Sequence, residues 1–427
     1  MKPLNQLTAS EIVQTIGSGK TTAEAVARAC LDHIAERDPA VQAWQFIDPA
    51  LVLKQARALD QRGTKGLLQG VPVGMKDIID TQDMPTEYGS PIYKGHRPVN
   101  DAACVALTRK GGGLIMGKTV TTEFANRYPG KTMNPFDPQR TPGGSSSGSA
   151  AAVGDFMVPL AVGTQTTAST LRPASYCGCV GYRPTWGDLR TVGVKEASGS
   201  LDTLGLIARS VEDVALFRDV LTGAKTSEPL PESDAAPRIG FCRTPIWDQA
   251  ESTTQSLIEG LARRLASAGA NVKDVSLPDD FARIPDAHQW ISSFEFARHF
   301  TWEIENHWER ISETLRENRL KHGLSCSFEQ YREARSFAER CRAAVDDIMG
   351  DRDVLLVPAA PGEAPIGLNS TGNAAFCTIW TTVHVPAMTL PLFRGPNGLP
   401  VGAQFVARRN DDRKLMAACR WVMRQAT

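Results

Sequence analysis

Residues 142–173, PGGSSSGSAAAVGDFMVPLAVGTQTTASTLRP, constrain this chain more than any other stretch. A Gly-Gly-Ser-Ser-Ser-Gly turn runs into a helix start built of small residues, and an apolar strand follows. A second serine, Ser169, then sits in a tight Thr-Thr-Ala-Ser turn. Apolar elements close by argue against a flexible Gly/Ser linker. Upstream, GVPVGMKDIID puts Lys76 at the end of a short apolar run. Two serines in separate turns and a lysine at a strand end suggest acyl transfer without histidine, and so the hydrolysis of amides.

The pattern around this stretch predicts an α/β fold, with a large mixed or largely parallel sheet sandwiched by helices. Thr8-x-x-Glu11 and Thr21-x-x-Glu24 read as capping boxes. Val26, Cys30 and Ile34 recur at the spacing of a buried helical stripe. Amphipathic helix is expected over 50–60, strand and turn over 70–80, helix over 102–110 and strand over 114–116. The Pro-, Asn- and Gly-rich loop over 127–144 is long enough to be functional. Strand, helix and strand alternate over 238–242, 252–268 and 272–277; strands return at 353–358, 386–393 and 401–407 before a last helix. Residues 280–349 read as a helical cap layer, where Trp290, Phe294, Phe296, Phe300, Trp302 and Trp308 crowd together. They form either an aromatic core between helices or the lining of an apolar pocket. With no internal repeat or composition break, residues 1–427 are expected to form a single domain.

Several functions are disfavoured. Lys+Arg and Asp+Glu balance at 47 each, leaving no electrostatic footprint for nucleic acid or an anionic membrane. No apolar run reaches the roughly 18–20 residues of a membrane span. The first twenty residues lack a signal-peptide core, so a cytoplasmic protein is expected. Nine scattered cysteines point to reduced thiols, and neither they nor the seven histidines show metal-site spacing. No metal or cofactor is implied. Gly112 to Thr119 matches a phosphate-binding loop, but a helix precedes it and Leu114-Ile115-Met116 reads as buried strand. Gly144-Ser145-Ser146-Ser147-Gly148 matches a nucleophile elbow, yet Pro135, Pro138 and Pro142 stand where the strand should be.

A serine nucleophile needs a base. Neutral lysine serves if burial brings its pKa from about 10.4 towards roughly 7–8. Val71, Pro72, Val73 and Met75 before Lys76, and Ile78 and Ile79 after it, offer that setting. The alternatives are a lysine that snorkels to solvent or pairs with Asp77 or Asp80.

GVPVGMKDIID, GKTVTTEFA, TPGGSSSGSAAAVG, PLAVGTQTTAS and RPASYCGCVGYRPT together resemble the amidase signature family, from about residue 5 to the last helix. GTQT in place of the commoner GTDT, and Arg172-Pro173-Ala174, resemble its malonamidase-type members. The resemblance implies a Ser–cis-Ser–Lys triad, with Ser169 as nucleophile, Ser145 as bridge after a cis Gly144–Ser145 peptide, and Lys76 as base. It implies an oxyanion hole from the backbone N–H groups of Thr166, Thr167, Ala168 and Ser169. It implies an Arg172 that grips a substrate carboxylate, or else a structural arginine on a local carboxylate or carbonyl. A small-amide hydrolase follows, with a malonamate-like monoamide favoured over an aryl amide or carbamate. A homodimer is the expected assembly. Gln165, Thr167 and Leu171 depart from the GTDTGGSIR pattern of the amidase subunit of tRNA-dependent amidotransferases. Thr167-Ala168 stands where the family carries Gly-Gly or Ala-Gly. If either position needs positive φ, the side chain costs about 1–2 kcal/mol, and the chain could be a binding homologue with a disabled oxyanion turn.

Overall fold

The central strands of the fold are buried along their whole length, and such strands need cover on both faces. The computed structural model describes residues 2–63, 66–230 and 235–426. Its strands are β1 (Trp44–Ile47), β2 (Pro72–Lys76), β3 (Leu114–Thr119), β4 (Leu160–Gln165), β5 (Val180–Arg183) and β6 (Thr203–Ala208). They continue with β7 (Arg238–Cys242), β8 (Asn271–Val275), β9 (Val354–Pro358), β10 (Ala387–Arg394) and β11 (Pro400–Val406). All join one 11-stranded sheet in the order β1-β3-β2-β4-β6-β5-β10-β11-β9-β7-β8. The sheet is mixed: β2 is parallel to β3 and β4, and β7 to β8 and β9. The remaining pairings are antiparallel, β4 with β6 and β10 with β11 among them.

Helices cover the sheet, and their ends follow side-chain chemistry. Thr8 caps Ala9–Gly17 in a full capping box with Glu11. The second box forms differently. Thr22, not Thr21, accepts from Ala25 N and starts Ala23–Val41. The first amides of that helix, Ala23 N and Glu24 N, are taken by Asp60 at 2.8 and 3.0 Å, which frees Glu24 to pair with Arg28 and Arg57. Val26, Cys30 and Ile34 are buried.

Two glycines allow elements to touch behind the site. A Cβ on Gly148, in the helix Ser147–Gly154, would lie 2.2 Å from Ala43 O. One on Gly163 of β4 would lie 2.5 Å from Ser146 Oγ. The phosphate-loop pattern is indeed strand: Leu114, Ile115 and Met116 are buried in β3.

Residues 284–349 form the helical layer, with Ile284–His299 and Phe328–Ala343 its longest members. Phe296 and Phe300 stack at 4.3 Å and join the main core beside Phe124, while Trp302 is 54% exposed. All nine cysteines are buried free thiols. Among the described residues no helix is long and apolar enough to cross a membrane.

Candidate active site

Lys76 is the last residue of β2 and is wholly buried. Its Nζ lies 2.7 Å from Ser145 Oγ and 2.8 Å from Thr164 Oγ1 on β4. Both partners are hydroxyls. A neutral amine can donate to one and accept the proton of the other. Desolvation drives its pKa well below the ordinary lysine value, and the charge of Asp202 only partly opposes this. Asp77 does not pair with Lys76. It faces Lys118 on β3, 3.1 Å away, because adjacent residues leave a strand on opposite sides. Asp80 instead accepts from Tyr88 Oη at 2.9 Å.

Ser145 follows a cis Gly144–Ser145 peptide, as the resemblance implied. Ser169 stands in the turn that leaves β4. Ser146 N donates to Ser169 O at 3.2 Å, which fastens the two serine turns together. Ser145 and Ser169 line the same cleft, with a cavity volume of about 600 Å³. No hydrogen bond joins their hydroxyls among the described residues. The buried lysine and its serine are thus joined, and the second serine opens onto the cleft beside them.

The turn Thr166–Ser169 is fixed by its carbonyls. Thr166 O lies 2.9 Å from His288 Nε2, and Thr167 O accepts from Thr381 Oγ1 at 2.8 Å. Ala168 O accepts from Arg172 N, and Ser169 O from Ser146 N. Among the described residues no protein acceptor meets the N–H groups of Thr167, Ala168 or Ser169. Carbonyls held by the protein and cleft-lining amides left without a protein acceptor suit an oxyanion. None of Thr166, Thr167, Ala168 and Ser169 has positive φ, so side chains at 167 and 168 carry no left-handed strain.

The departures from the family pattern have uses here. Gln165 Oε1 accepts from Thr170 N and Leu171 N at 3.0 and 3.1 Å, capping the short helix Leu171–Tyr176. Its Nε2 donates to Thr381 Oγ1 at 3.1 Å, and that hydroxyl holds Thr167 O. An aspartate could cap but could not donate. Thr167 Oγ1 lies 3.3 Å from His288 Nε2.

His288, from the helical layer, escaped the sequence analysis. It is buried, and desolvation pushes its pKa down to about 4. A neutral ring with its proton on Nε2 donates to Thr166 O. Nothing in the sequence around a mid-helix histidine signals this contact.

Arg172 lies beside the cleft, buried, but its guanidinium is committed to the protein. Nη1 donates to Gly372 O at 2.8 Å, and Nη2 to Gly144 O at 2.6 Å and Thr371 Oγ1 at 2.9 Å. Of the two readings of this residue, the arginine on local carbonyls matches these bonds. An aromatic lining is not found at this cleft; Trp290 borders a separate cavity together with Phe337. None of the six aromatic residues of the helical layer borders the cleft; Gln289, Ser292, Ser293, Asn318, Arg319 and His322 face it instead. Phe296 and Phe300 went to the core and Trp302 to the surface, and polar residues of the layer were left for the cleft.

The sequence model of the family described as Amidase matches residues 25–416. The chain is similar to a glutamyl-tRNA(Gln) amidotransferase subunit from Chloroflexus aggregans, 32% identical over 467 aligned positions that cover 97% of this chain and 96% of that one. Among solved structures it is similar to an inhibitor-bound complex of an s-triazine catabolic enzyme, with TM-score 0.89, 27% identity and 98% of each chain covered. It is also similar to the peptide amidase of Stenotrophomonas maltophilia, with TM-score 0.83, 27% identity, and 99% of this chain and 98% of that chain covered.

Proposed function

The chain belongs to the amidase family, and from that premise we propose that it hydrolyses a small amide through an acyl-enzyme on Ser169. The observation that carries this reading is the contact of a buried lysine, with no carboxylate bonded to it among the described residues, with Ser145 at 2.7 Å on the wall of the Ser169 cleft. Neutral Lys76 takes the proton of Ser145 as Ser145 takes that of Ser169. Ser169 Oγ then bonds to the amide carbon. The oxyanion forms against the N–H groups of the Thr166–Ser169 turn, where losing one donor costs about 3 kcal/mol. The proton returns through Ser145 to the amine as the C–N bond breaks, and water releases the acyl group. Free amides and unstrained φ in the turn support an active enzyme over a binding homologue.

A malonamate-like monoamide is the favoured substrate. The aryl-amide and carbamate alternative rested on an aromatic pocket, and the cleft wall is polar. A second reading, the amidase subunit of a multi-subunit amidotransferase, is favoured by the name of the Chloroflexus relative. Its test is the protein purified alone, as monomer or homodimer: full turnover without a partner removes it.

The main test measures ammonia and amine release from malonamate, aliphatic amides, an anilide and a carbamate, with Ser169→Ala protein as blank. Release by the native protein, with an acyl adduct on Ser169 seen by mass spectrometry, is expected. Undiminished turnover in Ser169→Ala would overturn the mechanism.

A further inference from the structure

The cleft is lined by three arginines, Arg127, Arg172 and Arg319, and by no aspartate or glutamate. Resting on the acyl-transfer reading, we infer that its substrate is an amide bearing a carboxylate, and that Arg319 and Arg127, not Arg172, hold that carboxylate.

The three guanidiniums differ in what they already hold. Arg172 spends both terminal nitrogens on Gly372, Gly144 and Thr371 and keeps only a buried, unpartnered Nε, so a carboxylate there would have to displace bonds that shape the Ser145 turn. Arg319 makes one hydrogen bond, from Nη2 to Ser292 O at 3.1 Å, and its buried Nε has no partner. The side chain of Arg127, more exposed at the cleft mouth, makes no hydrogen bond or ion pair among the described residues.

The carboxylates nearest Arg319 are occupied elsewhere. Asp202 accepts from Thr166 Oγ1, Ala197 N and Ser198 N. Glu295 accepts from Ser198, Ser200 and Tyr331. Burial lowers the basicity of Arg172 and Arg319; the charge of Asp202 opposes this at Arg319, and the positive charge of Arg127 adds to it at both. The three cations therefore converge across one space.

Cations gathered in a cleft with no carboxylate paired to them are costly unless an anion completes them. A guanidinium offers paired N–H donors to a carboxylate, and Arg319 brings a terminal nitrogen, Nη1, that makes no hydrogen bond among the described residues. The anion would lie across the cleft from Ser169, leaving the amide end of a short acid amide at the turn.

The test titrates the whole protein, by calorimetry, with malonate, malonamate and succinamate, and with the neutral diamides malonamide and succinamide. The acids are expected to bind tenfold or more tightly than the diamides. Arg319→Gln and Arg127→Gln should each erase most of that preference while leaving the weak diamide binding in place. Equal binding of acids and diamides by the native protein would overturn the inference. So would a preference that survives both substitutions. Because Arg127 is exposed, its variant reports even if Arg319→Gln folds poorly. Labelling of Ser169 by a fluorophosphonate reads the chemistry separately: no adduct sinks the acyl-enzyme while anion binding stands, and an adduct without acid preference sinks only the anion subsite.

Discussion

Lys76 at the end of β2 and Lys118 on β3 are both wholly buried, on strands that run side by side in parallel register. Lys118 has a carboxylate, Asp77 at 3.1 Å, and the hydroxyl of Thr86 at 2.6 Å. Among the described residues Lys76 bonds to the hydroxyls of Ser145 and Thr164 alone. Desolvation lowers the pKa of both, but Asp77 offsets it for Lys118, while Lys76 falls much further. Burial alone does not make a base of a lysine. The withheld counter-charge does. Asp77 follows Lys76 directly in the chain, so strand geometry sends the carboxylate to Lys118 and leaves Lys76 without one in contact.

Substitutions at the two positions should part company. Lys76→Met is expected to cut turnover by about 10²–10⁴, the usual contribution of a general base, with an unchanged melting curve. If Lys118→Met lost the chemical step equally, the contrast would fail. Lys118→Met should instead strand Asp77 and destabilise the fold by about 3–5 kcal/mol in urea unfolding, with kcat per folded molecule intact. Adding Asp77→Leu should restore much of that loss.

The pH profile sharpens the contrast. Protonation removes the lone pair that Lys76 needs, so kcat/KM should fall by one proton as pH is lowered through the pKa of Lys76. That limb should lie well below the ordinary lysine value of about 10.4, and Lys118→Met should leave it unmoved. The smallest effect is expected of Thr164→Val. Loss of one hydroxyl acceptor, worth about 1 kcal/mol, should reduce kcat/KM a few-fold. It should also move the acid limb lower, because the hydroxyl favours the charged amine.

Short-range chemistry was legible in the sequence, and contacts across the fold were not. The apolar setting of Lys76 could be read from Val71 to Ile79, and buried strand at Leu114–Met116 dismissed the phosphate loop. The Gly/Ser turn announced Ser145. The partner of Asp77, the reach of His288 to Thr166 and the sharing of one cleft by Arg127 and Arg319 depend on which elements pack together, which no local spacing encodes. Arg172 shows the same limit: its position after Ser169 was plain, but its bonds to Gly372 and Thr371 come from a distant segment. Strand β1, four residues with a half-exposed face, carried too weak a pattern to be seen.

The nine buried thiols lend the protein a recorder of its own motion. Desolvation pushes Cys30, Cys104, Cys179, Cys242 and Cys377 up to about 12, so in the closed fold they offer almost no thiolate. A thiol reagent is consumed only when a segment opens, and the rate at each cysteine counts those openings. Cys30 in the second helix and Cys419 in the last would time the two ends of the chain separately.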